Sequence, residues 1–215
     1  MTNAISERAA LPRLLFVVGA ALALSYTSAP LVDLPFPGPP IWKASGIVLL
    51  GLYALASRAR IAAVALFLSA VGDVALELQT PQWIAGMAAF GLAHVFYTVC
   101  FADFIRRQGL ARSGILFAIA ILAISIALLV WLYPGMGELT GPSIGYQAII
   151  TTMVMTAMVS RAPMITRIAA VVFMLSDTLI AVGLYRGIAV PPGSVWITYA
   201  VAQILLARGF ATAKR

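Results

Sequence analysis

Ser69-Ala70-Val71-Gly72-Asp73-Val74-Ala75-Leu76-Glu77 puts two carboxylates into a run that otherwise reads as lipid-soluble. Spaced four apart, Asp73 and Glu77 stack on one face of a helix, with Ser69 one turn earlier on the same stripe. An acidic side chain near the centre of a bilayer costs roughly 3 kcal/mol on insertion scales, so it faces a protein interior or a wet cavity and marks function by default. The surrounding sequence is therefore read for what could build that cavity and fill it with partners.

The composition fixes the solvent. Of 215 residues 62% are hydrophobic and 10% charged, and the mean hydropathy is +1.02. Soluble domains hold about 45–50% apolar residues, so this is an integral membrane protein, read as a single membrane domain over residues 1–215. Its net charge of +7 comes from basic residues lying between apolar runs, where they set orientation in the membrane and give no reason to expect nucleic acid. Cys100 is the one cysteine and His94 the one histidine. A zinc centre of three or four His/Cys ligands is thereby excluded, a carboxylate-held divalent ion is left open, and no metal or cofactor is expected.

Eight apolar segments are marked, predicting an all-α bundle of eight transmembrane helices. The first covers residues 14–29, after Arg8 and Arg13. Thr27-Ser28-Ala29 offers the small residues of a leader cleavage site, but Pro30 directly after it disfavours cleavage. Residues 30–40 contain five prolines and read as a loop. The second segment, residues 41–56, carries Lys43 near its start. The third, 61–78, holds the carboxylate stripe and ends before Thr80-Pro81. The fourth, 82–104, holds His94 and Tyr97. The fifth, 114–133, has neither charge nor amide inside and reads as the most lipid-facing. After a turn at 138–142, the sixth, 143–160, opens with Tyr146 and Gln147. The seventh, 166–185, contains Ser176-Asp177, and the eighth, 194–210, contains Tyr199 and Gln203. Each is close to the ~20 residues that cross a ~30 Å hydrocarbon layer, and the short loops predict antiparallel neighbours.

Charge supports this count. With both termini cytoplasmic, Arg8, Arg13, Arg58, Arg60, Arg106, Arg107, Arg112, Arg161, Arg167, Arg208, Lys214 and Arg215 fall inside, twelve of fourteen basic residues, and only Lys43 and Arg186 fall outside. The expected location is a bacterial inner (plasma) membrane. At ~1.5 Å per residue, Asp73, Asp177 and His94 all lie ~15–18 Å from one face, near the midplane. Lys43, Glu77, Tyr146 and Gln147 belong to the outer parts of their helices, and Tyr199 and Gln203 run from there inward. A polar pocket opening outward is the expectation.

Five stretches together resemble the YhhN-like multi-pass membrane proteins, a family that includes the lysoplasmalogenases. They are Trp42-Lys43-Ala44, the Ser69 to Glu77 stretch, Phe90-Gly91-Leu92-Ala93-His94-Val95-Phe96-Tyr97, Ser176-Asp177-Thr178-Leu179-Ile180-Ala181 and Tyr199-Ala200-Val201-Ala202-Gln203. Ala44 departs from the pattern, since the family typically has proline after the lysine. The resemblance implies an eight-helix enzyme that hydrolyses the vinyl ether bond of a lysophospholipid, giving a fatty aldehyde and glycerophosphoethanolamine or glycerophosphocholine. That chemistry suits the residues. Protonating the β-carbon of a vinyl ether leaves an oxocarbenium ion for water to capture, a task for one acid and one negative partner, as in glycosidases. Two carboxyl groups in one pocket resist ionising together, so one can stay protonated near neutral pH. Asp73 and Asp177 are the expected pair, Glu77 or His94 would position water or tune them, Lys43 would hold the lipid phosphate, and Tyr146, Gln147, Tyr199 and Gln203 would bind substrate.

Other classes remain in view. Midplane carboxylates also suit a proton-coupled transporter, and Phe67-Leu68-Ser69 before Asp73 is echoed by Phe173-Met174-Leu175-Ser176-Asp177 four segments later, as in a parallel repeat. No segment is broken at midplane by a Gly/Pro pair, which weighs against it. A hydrolase of another lipid, or one using a carboxylate-held metal, is separated from the first reading by substrate and by chelator sensitivity.

Overall fold

The structure is a computed structural model describing residues 2–213. Lys214 and Arg215, counted above towards the cytoplasmic side, lie outside the described residues, as does the side chain of Arg8. Eight α-helices follow in order: α1 Thr2–Ser25, α2 Gly38–Ala56, α3 Arg60–Leu76, α4 Trp83–Gln108, α5 Ile115–Leu132, α6 Thr140–Val159, α7 Met164–Arg186 and α8 Ser194–Thr212. Short 3₁₀ turns complete the regular structure of the described residues, which include no strand. Among the described residues, six helices are long and apolar enough to cross a membrane. The others are α3, with 17 residues, and α6, whose Thr140, Ser143, Gln147, Thr151, Thr152 and Thr156 dilute its apolar surface.

Several boundaries differ from the sequence expectation. The helix of α1 starts well before its apolar run, because Ala9-Ala10-Leu11 are strong helix formers, and Pro12 sits inside it. It ends at Ser25, and Tyr26–Leu31 forms a 3₁₀ turn. The proline loop is shorter than predicted, since Pro39 and Pro40 occupy the first turn of α2, where the missing N–H would be unpaired anyway. Thr140 starts α6 for the same reason, with Pro142 in its first turn. Glu77 and Leu78 fall outside α3, Glu77 serving as its C-cap.

The connections sort to two ends. Leu76 and Trp83, Leu132 and Met136, and Gly193 and Val195 line one cavity with Tyr26, so the links that follow α1, α3, α5 and α7 share an end. At the other, residues of the α2–α3 link, the end of α4 and the end of α8 line a second cavity, and the Ala111 amide donates to the Val159 carbonyl, 2.8 Å away, joining the α4–α5 and α6–α7 links. Packing follows sequence neighbours with one correction. After the α3·α4 pair, α4 packs on α6, and α5 also packs on α6. Only Ala118, Ser125 and Leu132 of α5 are buried, and Thr151 of α6 donates to the Ser125 hydroxyl at 2.9 Å. A helix so uniformly apolar has no side that must be hidden from lipid, so it sits at the periphery. Helix α8, carrying the buried Tyr199 and Gln203, instead packs against α1, α2, α3 and α7.

Without a hydrophobic force between helices in lipid, association rests on close contact through small residues. Buried Ala23, Ala44, Ala54, Ala62, Ala65, Ala169, Ala200 and Ala207 supply it. Gly46 marks the tightest approach of α2 to α1: a Cβ there would stand 2.3 Å from the backbone nitrogen of Ala23. Backbone cannot swing aside as a side chain can. Gly46→Ala is expected to force the two helices apart and cost about 2–3 kcal/mol, read as a lowered melting temperature of the detergent-purified protein. An unchanged melting temperature would show that α1 yields freely.

Candidate active site

The cavity at the α1–η1, α3–α4, α5–α6 and α7–α8 end encloses about 320 Å³, at the lower end of the usual range for small-molecule sites. Its lining is amphipathic. Asp73, Asp177, Lys43, Tyr146, Gln147 and Tyr199 face it, among Leu76, Met87, Phe90, Met136, Ile180 and Leu184.

Asp73 comes from α3 and is 3% exposed. Its Oδ2 accepts a hydrogen bond of 2.6 Å from the Tyr199 hydroxyl on α8. The neighbouring Gly72 explains how an aromatic layer reaches this depth, because a Cβ there would meet the Phe90 ring at 2.5 Å. Phe90 packs edge-on to Tyr199 with centroids 5.8 Å apart, and Phe173 does so at 5.3 Å. These rings fix the phenol that points at Asp73.

Asp177 comes from α7. Its Oδ2 accepts a 2.5 Å hydrogen bond from the Tyr146 hydroxyl of α6 and lies 3.4 Å from Nε2 of His94 on α4. That same Nε2 is 2.9 Å from the Tyr146 oxygen, so imidazole, phenol and carboxylate form one triangle. His94 is fully buried. Its other ring nitrogen, Nδ1, has no hydrogen-bond partner among the described residues. The two aspartates, each held by a tyrosine from a different helix, line the same cavity.

Lys43 lines the cavity from α2 but does not reach either aspartate. Its Nζ is paired with Glu77 Oε2 at 2.7 Å and stands 5.7 Å from the ring centroids of both Tyr26 and Trp196. Glu77 lies beyond the end of α3. Burial alone would raise its carboxyl, but hydrogen bonds from Lys43 and Tyr26 outweigh that and hold it below its ordinary value.

Three predicted site residues stand off the cavity lining, and of these Gln203, expected to line the pocket, is the one corrected in position. Glu77 supports Lys43 without lining the cavity, His94 stands behind Asp177, and Gln203 is fully buried, its Oε1 accepting a 2.7 Å hydrogen bond from Tyr97. Sequence reading missed Tyr26, Trp196, Ser143 and Tyr185 among the lining residues. Trp196 is anchored by a 2.7 Å hydrogen bond from its Nε1 to the Ala23 carbonyl, and Tyr185 pairs with the Ser143 hydroxyl at 2.6 Å. The available signal was an aromatic just after the end of α1 and another near the start of α8, which reads equally as a membrane-interface belt. Among the described residues no three His, Cys, Asp or Glu side chains converge as a metal site.

Comparison with known proteins adds a second line. The model of the YhhN family matches residues 39–210. Curated lysoplasmalogenases of Mycobacterium bovis and Mycobacterium tuberculosis are each 35% identical over 184 residues, covering 80% of this chain and 69% of theirs. No solved structure matches the chain.

Proposed function

Because this chain belongs to the YhhN family, we propose that it is a membrane-embedded hydrolase of the vinyl ether bond in a lysophospholipid. The observation that carries the reading is the pair Asp73 and Asp177, brought by separate helices to one amphipathic cavity. Neither is neutralised by Lys43, which is engaged by Glu77.

A carboxyl group with more donors around it bears negative charge more readily. Asp177 has Tyr146 and His94 beside it, whereas among side chains Asp73 has the Tyr199 hydroxyl. Asp73 is therefore the proton donor and Asp177 the base. Asp73 delivers its proton to the β-carbon, and the ether oxygen shares its electrons to form the oxocarbenium ion. Water adds to the α-carbon, the one bonded to the ether oxygen, as Asp177 takes a proton, giving a hemiacetal. The hemiacetal hydroxyl then gives its proton to the Asp73 carboxylate, the bond from the α-carbon to the glycerol oxygen breaks, and that oxygen takes the proton held by Asp177 and leaves as the hydroxyl of the glycerophospho product, which restores both carboxyl groups. Net consumption is one water. Lys43 sits where a lipid phosphate would displace or share Glu77, and the apolar lining takes the start of the chain. All eight helices cross the membrane in this reading, with both termini cytoplasmic and the cavity towards the outer face.

The test is hydrolysis of a lysoplasmalogen by the purified full-length protein in H₂¹⁸O, with and without a chelator. The expected result is chelator-insensitive release of aldehyde, with no heavy oxygen at the freed glycerol hydroxyl. Label in that hydroxyl would mean attack at the glycerol carbon and would overturn the mechanism. No aldehyde at all would point to a different lipid substrate or to transport.

A further inference from the structure

We propose that the opposite end of the bundle carries a second, non-catalytic site for the phosphodiester headgroup of an anionic phospholipid. The cleft there encloses about 670 Å³, larger than the candidate active site, and Arg58, Arg60, Arg107 and Asp103 line it. Its charge is unbalanced. Asp103 is shared between Arg106, at 2.8 Å, and Arg107, at 2.7 Å, while Arg58 and Arg60 form no ion pair among the described residues. A phosphodiester placed between Arg58 and Arg60 would supply the missing negative charge through charge-assisted hydrogen bonds.

The backbone points the same way. Arg58 has φ +63°, and the link it occupies closes α2 with the Ala59 amide on the Ala54 carbonyl at 2.8 Å. Glycine is the residue that occupies such a left-handed C′ position without strain. An arginine there spends conformational energy to keep a cation at the lip of the cleft. Ile61, Phe104 and Phe210 form the apolar part of the same lining, and they favour a lipid over free phosphate because glycerol and acyl groups would cover them. Basic clefts between helices at a membrane boundary suit this chemistry.

The test titrates the full-length protein in detergent, by native mass spectrometry, with dioleoylphosphatidylglycerol, dioleoylphosphatidylcholine or inorganic phosphate. Phosphatidylglycerol is expected to bind at one molecule per chain, with phosphatidylcholine at least about tenfold weaker and phosphate unbound. Arg58→Gly combined with Arg60→Gln should weaken phosphatidylglycerol about twenty-five-fold, from about a factor of five per arginine. The variant remains interpretable because glycine suits the backbone at position 58. Equal binding of the two lipids, unchanged binding by the variant, or phosphate binding as well as phosphatidylglycerol would each overturn the proposal.

Discussion

Asp73→Asn is expected to lower aldehyde release from a lysoplasmalogen by at least about a thousandfold while the protein stays folded. Asparagine keeps an oxygen to accept the Tyr199 hydroxyl, which now bonds Asp73 at 2.6 Å, so the α3–α8 contact survives. What it loses is a proton acidic enough to give to carbon. The same geometry supplies a control. If Asp73 served only to tie α3 to α8, Asp73→Asn would do little harm and Tyr199→Phe would do more, because only the second breaks that hydrogen bond. For a proton donor the order reverses, and Tyr199→Phe leaves most of the turnover. Near-normal hydrolysis by Asp73→Asn, or a larger loss from Tyr199→Phe than from Asp73→Asn, would remove Asp73 from the chemistry.

How much of this arrangement the chain announces depends on the kind of contact. Asp73 and Asp177 stand out because a charge in an apolar helix has so few acceptable surroundings, and the structure does bring both to one cavity. The Asp103 pairs are equally readable, because Arg106 and Arg107 sit three and four residues further along the same helix. Lys43 and Glu77 are 34 residues apart in sequence, and no periodicity relates them; their pairing depends on how far α3 runs. Ending that helix at Leu76 takes Glu77 off the helical stripe it was expected to share with Asp73 and leaves it as the partner of Lys43. Gln203 and His94 illustrate a different limit. Their depth could be counted in residues, but whether a deep polar group faces a cavity or a neighbouring side chain depends on rotation about the helix axis, which is set by packing. The separation of α4 from α5 was hidden for a related reason: a helix apolar on every side carries no stripe to show which neighbour it meets.

The second large effect is expected at Asp177. Asp177→Asn should reduce turnover by about a hundredfold to a thousandfold, because the water that captures the oxocarbenium ion would lose its proton acceptor. Tyr146 and His94 would remain where they are, since the asparagine oxygen still accepts the phenol that now sits 2.5 Å away. A loss of activity alone would not separate the base from a structural link between α6 and α7. Asp177→Ala does separate them, because it opens space for a small carboxylate beside Tyr146. Added formate is expected to restore part of the lost turnover in Asp177→Ala and none in Asp73→Ala, where the missing group must deliver a proton to carbon. Rescue of Asp73→Ala instead would exchange the two roles. Failure to rescue either, together with Asp177→Asn turning over at the normal rate, would leave Asp177 as the anchor of the Tyr146–His94 triangle and no more.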